Sequence, residues 1–326
     1  MPVLGSVAAG CLAAAALAGC GAQAVSTAAH SSGAPDPATV AASPATGAKP
    51  TVKVVAPRAM PPSHPRLLVA ATNSSPSGFA PAVRWRGGTA AYIARSPSGV
   101  GLLSFDQRLT ELRLHSGTVD AGATGWRWGP EVSSAERPRL VAAFNGGFQF
   151  SVGAGGFESY GRVARPLTSG LGSIVTYADG RTDIGSWRSE VPATGMAVAS
   201  VRQNLTLLID RGSAASSVDC RSCWGATLGG VPDPARSALG ITAHGNLIWA
   251  GGEHVTVAEL ADALLGAKVV RAVELDINPQ WVAGYLYGHR AGAGAPAPVP
   301  VVPDQVGVSG FYLTPSSRDF FTVAAR

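Results

Sequence analysis

TVAELADALLG (Thr256–Gly266), followed two residues later by VVRAVELDI (Val269–Ile277), is the stretch that decides the fold. Thr256 and Glu259 form a capping-box pattern: the threonine hydroxyl can accept from the third helical N–H while the glutamate reaches back to the cap. Val257, Leu260, Ala261, Leu264 and Leu265 then recur at helical spacing and make one apolar stripe, which Gly266 ends. The second piece reads as a strand. Side chains alternate across a sheet, so Val269, Arg271, Val273 and Leu275 are expected on one face and Val270, Ala272, Glu274 and Asp276 on the other. If the extended backbone continues, Asn278 joins the second face before Pro279 stops the pairing. Polar groups gathered at the end of an apolar strand are costly unless solvated, paired or used.

Outward from that unit, the chain is mostly short strands with turn punctuation. The pattern predicts strands over Leu102–Phe105, Leu109–His115, Leu140–Phe144, Ser173–Tyr177, Val201–Ile209, Ser237–Thr242 and Leu247–Ala250. Ala178-Asp179-Gly180 and Ala243-His244-Gly245-Asn246 read as hairpin loops. A helix-then-strand unit inside a mainly β chain points to the α+β class: a single domain of antiparallel or mixed sheet with few helices. Residues 63–326 suffice to bury one large core. Gly292 to Pro303, built of Gly, Ala, Pro and Val, is expected to be a surface loop before Gly310-Phe311-Tyr312-Leu313 returns to the core.

Val3 to Gly19 is almost wholly Ala, Leu, Gly and Val and ends in Leu17-Ala18-Gly19-Cys20, so residues 1–20 read as a signal peptide with a lipobox and Cys20 as the lipidation site. No Lys or Arg precedes Cys20, a departure from the usual basic n-region. The apolar run is shorter than the roughly 20 residues that cross a bilayer. Residues 21–62 hold Ala, Ser, Thr, Gly and Pro with only Asp36, Lys49, Lys53 and Arg58 charged, the composition of a disordered tether reaching roughly 35 Å. The expected location is therefore extracytoplasmic, anchored to a membrane through the N-terminal lipid, with a secreted form as the alternative.

The whole chain carries +5; without the tether's charges 22 basic side chains face 19 acidic ones. That balance, with no basic run, argues against a nucleic-acid partner. Lys268 is the only lysine beyond the tether, an Arg-for-Lys bias of GC-rich coding, so each arginine is first compositional. Cys220-Arg221-Ser222-Cys223 is either a local disulfide or half of a zinc site. No second Cys pair or His-x-x-x-His run completes a metal site, and an exported chain favours the disulfide between Cys220 and Cys223. The sequence names no cofactor and no metal.

Phe144-Asn145-Gly146-Gly147-Phe148 follows directly on a strand. Taken alone it is a tight turn, yet paired glycines also let backbone N–H groups approach a ligand. Read together, Asn145-Gly146-Gly147-Phe148, Arg236-Ser237-Ala238-Leu239-Gly240, the Glu259-Leu260-Ala261 helix and Leu275-Asp276 resemble the phosphodiester glycosidase family, the uncovering-enzyme-like domain. The likeness runs from about Leu102 to Tyr287 in order and spacing, and suggests an exported lipoprotein member of actinobacterial type. It implies an α+β fold, removal of a sugar linked through its anomeric carbon to a phosphodiester, and a site formed where these motifs converge.

Carried over by position, the resemblance implies Asn145, Gly146, Arg236 and Asp276 as site residues. Gly147 and Asn278 adjoin them as substrate-binding candidates. Arg236 offers a guanidinium fork for phosphate oxygens. Glycosyl transfer to water typically uses two carboxyl groups. Asp276 is the first catalytic candidate and Glu274 its same-face partner. Glu158, after the Gly-rich run, and His254, before the helix cap, are lesser candidates. The chain departs from the family after Leu275-Asp276, where Ile277-Asn278-Pro279 replaces consecutive glycines with a stiffer, bulkier loop. The family's C-terminal Arg-Pro and Asn-bearing strand is also not apparent. The reading is an exported hydrolase of glycosyl phosphodiester or related bonds, its partner an envelope glycan or sugar-phosphate substrate. The alternative is a non-catalytic envelope lipoprotein that binds glycan or a phosphate-bearing polymer.

Overall fold

The computed structural model describes residues 63–68, 78–153, 155–220, 222–225, 231, 233–289, 295–302 and 304–326. The expected signal peptide, Cys20 and the tether lie outside the described residues. Three sheets form the frame. The largest has nine strands in the order β1 (Arg66–Leu67), β2 (Ala80–Trp85), β3 (Gly88–Arg95), β4 (Gly101–Phe105), β15 (Leu247–Gly252), β14 (Arg236–Thr242), β16 (Val269–Glu274), β12 (Ile209–Asp210) and β13 (Ser213–Ala214). A five-stranded sheet runs β18 (Ala297–Pro300), β17 (Gly284–Gly288), β6 (Leu140–Asn145), β19 (Phe320–Ala325) and β5 (Thr110–His115). Another five-stranded sheet runs β10 (Thr182–Ser186), β9 (Gly172–Tyr177), β11 (Val198–Gln203), β7 (Phe157–Ser159) and β8 (Arg162–Arg165).

Pairing between these strands is antiparallel throughout. The only α-helix among the described residues is α1 (Val257–Gly266), and the expected α+β, mainly β architecture holds. Its capping box forms as the sequence predicts: Thr256 Oγ1 accepts from Glu259 N at 3.1 Å, and Glu259 Oε2 accepts from Thr256 N at 2.9 Å. Val257, Leu260, Ala261 and Leu264 face the nine-stranded sheet and close a core with Ala238, Ile248, Ala250 and Ala272. The opposite face of that sheet supplies Leu103, Phe105, Leu239, Trp249, Val273 and Leu275 to the main core, which they share with Phe144, Leu286 and Phe321 of the β6 sheet. Strict period-two alternation explains the split: Ile248 and Ala250 point to the helix, Leu247 and Trp249 to the main core.

The hairpin loops at Ala178–Gly180 and Ala243–Asn246 join β9 to β10 and β14 to β15 as expected. Three expectations change. Along β16 the register with β14 shifts between Ile241 and Thr242, which face Arg271 and Val269, so Val270 is an inserted bulge residue. Val269 therefore joins Ala272 on the helix side instead of sharing the face of Arg271 and Val273. The predicted strand Val201–Ile209 breaks at Asn204, whose side chain is used elsewhere, and its ends fall in different sheets. Part of the expected loop Gly292–Pro303 is a strand: β18 pairs with β17 as a sheet edge, where Pro298 and Pro300 are tolerated because one side needs no ladder donors. The segment Gly310–Leu313 does return to the core: Ser309–Tyr312 is a tight 3-10 turn that buries Tyr312.

Candidate functional site

The site lies where the nine-stranded sheet meets the β6 sheet. Central strand β6 ends at Asn145, which is buried. Its Nδ2 donates to Ser237 Oγ at 2.8 Å, and Ser237 of β14 donates N–H to the carbonyl of Asp276 at 3.0 Å. Ser237 Oγ also accepts from Asp276 N at 3.3 Å. Three of the motif segments singled out in the sequence are thus tied by one short chain of hydrogen bonds.

Gly146 and Gly147 turn the backbone away from β6 between two buried ion pairs. A Cβ on Gly146 would lie 2.1 Å from Asp319 Oδ2, and one on Gly147 would lie 2.8 Å from Arg202 Cζ. The glycines are required by this close approach. Their N–H groups, expected to meet a ligand, are consumed internally: Gly146 N donates to Asp319 O at 3.0 Å and Gly147 N to Asp319 Oδ2 at 3.4 Å. Arg202 holds Asp319 through Nε at 2.8 Å and caps the Phe148 carbonyl at 2.7 Å.

Arg236 and Glu274 also take a different place from the one expected. Ala238 pairs with Glu274 across the sheet, and Arg236 Nη1 reaches Glu274 Oε1 at 2.7 Å. The same guanidinium donates to Val255 O at 3.0 Å and Trp224 O at 3.1 Å. Its fork is spent inside the protein because Glu274 is fully buried beneath it, and neither residue lines the cleft described next. Burial, against the pull of Arg236, pushes the Glu274 carboxyl from 4.5 up to about 8, and Glu274 Oε2 has no hydrogen-bond partner among the described residues.

Asp276 lies just beyond the end of β16. Its Oδ1 accepts from Ile277 N at 2.7 Å and Asn278 N at 2.9 Å, an Asx turn that shapes the Ile277-Asn278-Pro279 loop. Its Oδ2 accepts from Arg318 Nη2 at 3.0 Å. Burial raises the Asp276 carboxyl above the ordinary aspartate range despite Arg318 and the two N–H donors. Arg318 in turn donates through Nε to Asp120 Oδ2 at 2.5 Å and through Nη2 to Gly147 O at 2.8 Å.

Asp276, Asn278 and Arg318 line a cleft of about 340 Å³ with Phe148, Gln149 and Leu205. It pairs one carboxylate and one guanidinium with apolar walls, a mixture suited to a small polar or anionic group carried on a ring. Ile277 and Asn278 also form the wall of a neighbouring cleft of about 370 Å³ that holds His254 and Glu253. Glu158, paired with Val201 and Val163 in the β7–β11 sheet, lines neither. Larger hollows lie beside α1 and beside Arg181 and Arg271, and neither gathers the motif residues. No group of three His, Cys, Asp or Glu among the described residues is placed to hold a metal. Cys220 and Cys223 form the expected disulfide.

Arg318, Asp120, Arg202, Asp319 and Asn204 were not among the residues the sequence singled out. Asn204 accepts from Phe148 N at 3.1 Å and donates to Leu275 O at 2.7 Å and to Glu274 O, joining the glycine turn to the end of β16. The available signal for Arg318 and Asp319 was a charged pair set directly before the apolar run Phe320–Ala325.

No family model matches the sequence, and no curated protein matches it. Among solved structures the chain is similar to the catalytic domain of zebrafish N-acetylglucosamine-1-phosphodiester alpha-N-acetylglucosaminidase, auto-inhibited by its pro-peptide. The identity there is 15%, the coverage 81% of this chain and 88% of that one, and the TM-score 0.46. It is also similar to a hypothetical protein from Synechocystis at 15% identity, covering 78% of this chain and 64% of that one, with a TM-score of 0.40.

Proposed function

We propose that the chain is an exported hydrolase of glycosyl phosphodiester or related bonds in envelope glycans, acting at the cleft of Asp276, Asn278 and Arg318. The observation that carries this reading is the meeting of carboxylate and guanidinium at that cleft, built from segments whose motifs resemble the phosphodiester glycosidases. Arg318 has an Nη1 with no hydrogen bond to the described protein, on a residue that lines the cleft, and is the cation to which a phosphate would bind. Asp276, raised by burial and next to that cation, is the group available to exchange a proton with the scissile oxygen or to support the charge that develops on the sugar. Glu274 and Arg236 act from beneath as positioning residues that fix the end of β16. Lipid attachment at Cys20 would hold this cleft a tether's length from a membrane.

The test is turnover of a panel of aryl and sugar-phosphate glycosides by the full chain. Hydrolysis is expected from wild type and its loss from Asp276→Asn and Arg318→Gln variants that melt normally. Wild-type turnover no greater than that of these variants across the panel would end the hydrolase reading. The anchor is tested separately: Cys20→Ser should move the chain from the membrane fraction to the soluble one.

A second reading, a binding lipoprotein without catalysis, is favoured by one observation: both Asp276 oxygens are already hydrogen-bonded within the protein. In that case Asp276→Asn should keep ligand affinity within about tenfold, roughly 1.4 kcal/mol.

A further inference from the structure

Beside the cleft lies a row of arginines that the proposed chemistry does not use. In β8, Arg162 stands opposite Ser159, Val163 opposite Glu158 and Arg165 opposite Phe157, with the register shifting between Phe157 and Glu158. Ala164 is the inserted residue. Three positions along a strand normally point to opposite faces, but the bulge turns Arg165 onto the face of Arg162. Both then meet aromatic rings on that face: Arg162 lies 4.4 Å over Trp126 and Arg165 lies 5.9 Å over Phe150. Arg127 continues the row, 4.5 Å over the exposed Tyr160 and 5.3 Å from Trp128.

None of Arg127, Arg162 and Arg165 has a carboxylate within ion-pair distance among the described residues, as is true also of Arg66, Arg84, Arg86, Arg95, Arg137, Arg139, Arg188, Arg211 and Arg326; what sets the three apart is that they lie on aromatic rings along one sheet edge. Arg162 and Arg165 use one nitrogen each on a backbone carbonyl, those of Thr124 and Phe150. A guanidinium lying on an aromatic face keeps its charge and loses some of its side-chain freedom, so it is ordered for binding an anion. Arg127 and Arg162 are exposed and Arg165 partly so. β8 is the edge of its sheet, which leaves the strand's outer side uncovered by another strand.

The row runs to the cleft. Phe150, under Arg165, opens the tight turn Phe150–Val152, and Val152 with Gln149 lines the cleft that holds Asp276 and Arg318. Phe150 N also donates to Asp120 Oδ1 at 3.4 Å, the residue that pairs with Arg318. Unneutralised cations alternating with aromatic rings along one edge fit a chain in which anions alternate with sugar or polyol units.

We infer that the Arg127–Arg162–Arg165 edge is a docking track for an extended phosphate-bearing glycan polymer, delivering one end or one repeat to the Asp276 cleft. The inference rests on the proposed ligand class, and its binding step is independent of hydrolysis.

Binding of the full chain to fluorescent poly(glycerol phosphate) tests it, with dextran as a neutral polymer and a single-stranded oligonucleotide as an anion of another class. The polyphosphate is expected to bind in a salt-sensitive manner. Arg127→Gln/Arg162→Gln/Arg165→Gln should lower that affinity on the order of tenfold or more, while the matching triple lysine variant, which keeps the charge, should retain most of it. Hydrolysis of the small glycoside panel by the glutamine variant should match that of wild type, so loss of docking and loss of turnover are separately visible. Equal binding of dextran, preferential binding of the oligonucleotide, or unchanged affinity in the folded glutamine variant would overturn the track.

Discussion

Replacing Arg236 with methionine removes the only ion-pair partner Glu274 has among the described residues. The consequence can be worked from the burial of both groups. Glu274 is fully buried, one of its oxygens lacks a partner among the described residues, and its carboxyl is pushed up to about 8 even with the guanidinium 2.7 Å away. Losing the cation raises that value further, so the variant keeps the acid protonated into mild alkali where the wild type ionises it against Arg236, and at every pH it leaves the Val255 and Trp224 carbonyls without their donor. Above about pH 8, where the wild-type pair is ionised, breaking it costs about 3–5 kcal/mol, a large part of the roughly 5–15 kcal/mol that holds a domain together.

The pH dependence has a definite sign. A carboxyl raised in the folded state contributes stability that is complete below its unfolded value of 4.5 and is lost as pH climbs through about 8. The full span corresponds to about 5 kcal/mol. Arg236→Met should therefore lose least in mild acid and most in mild alkali. Arg236→Met/Glu274→Met, which removes both charges at similar volume, should recover most of the loss and flatten the dependence. Urea unfolding of the three proteins at about pH 5, 7 and 9 reads this directly. If the single and double variants lose equally, the guanidinium is not there to hold Glu274. A single variant as stable as wild type but without turnover would return Arg236 to the ligand, as the sequence alone implied.

Further outcomes follow from the same geometry. Gly146→Ala places a methyl 2.1 Å from Asp319 Oδ2 and 2.6 Å from the Asp319 carbonyl, and should lower stability by about 1–3 kcal/mol in a thermal melt. Thr256→Ala removes the hydroxyl that accepts from Glu259 N and should cost about 1 kcal/mol by urea unfolding, with turnover unchanged. Cys220 and Cys223 close so short a loop that Cys220→Ser/Cys223→Ser should cost no more than about 2 kcal/mol, and thiol titration of the wild-type chain should find neither sulfur free before reduction.

What could be read from the sequence was local. The α1 cap and stripe, the Gly180 and Gly245 hairpins and the position of β6 all announce themselves within a few residues, because their hydrogen bonds close within those residues. The convergence of Asn145, Ser237 and Asp276 was recoverable only by reading three separate motifs as one set. The bulge at Val270 was not readable, since nothing in a run of valines and an arginine marks which residue leaves the ladder. Arg236 was misdirected for a related reason. A fork that suits phosphate suits a glutamate equally well, and the choice depends on the sheet register that puts Ala238 opposite Glu274. Arg318 and Arg202 were hidden because arginine is common in this chain and their partners Asp120 and Asp319 lie 198 and 117 residues away in sequence.

Those two separations have a bearing on how the protein comes into being. A chain released from its N-terminus can close the β2–β3–β4 meander early, and later the β14–β15 hairpin and the helix, since their partners follow one another closely, whereas the joint of β4 to β15 waits for a partner far along the chain. The glycine turn cannot settle, however, until Arg318 and Asp319 have arrived to receive Asp120 and Arg202, and contacts of such long span form late. An incomplete chain then lacks the Arg318 wall of the cleft and the partners that fix Asp120 and Asp276, so the cleft takes its shape only after the long traverse is finished.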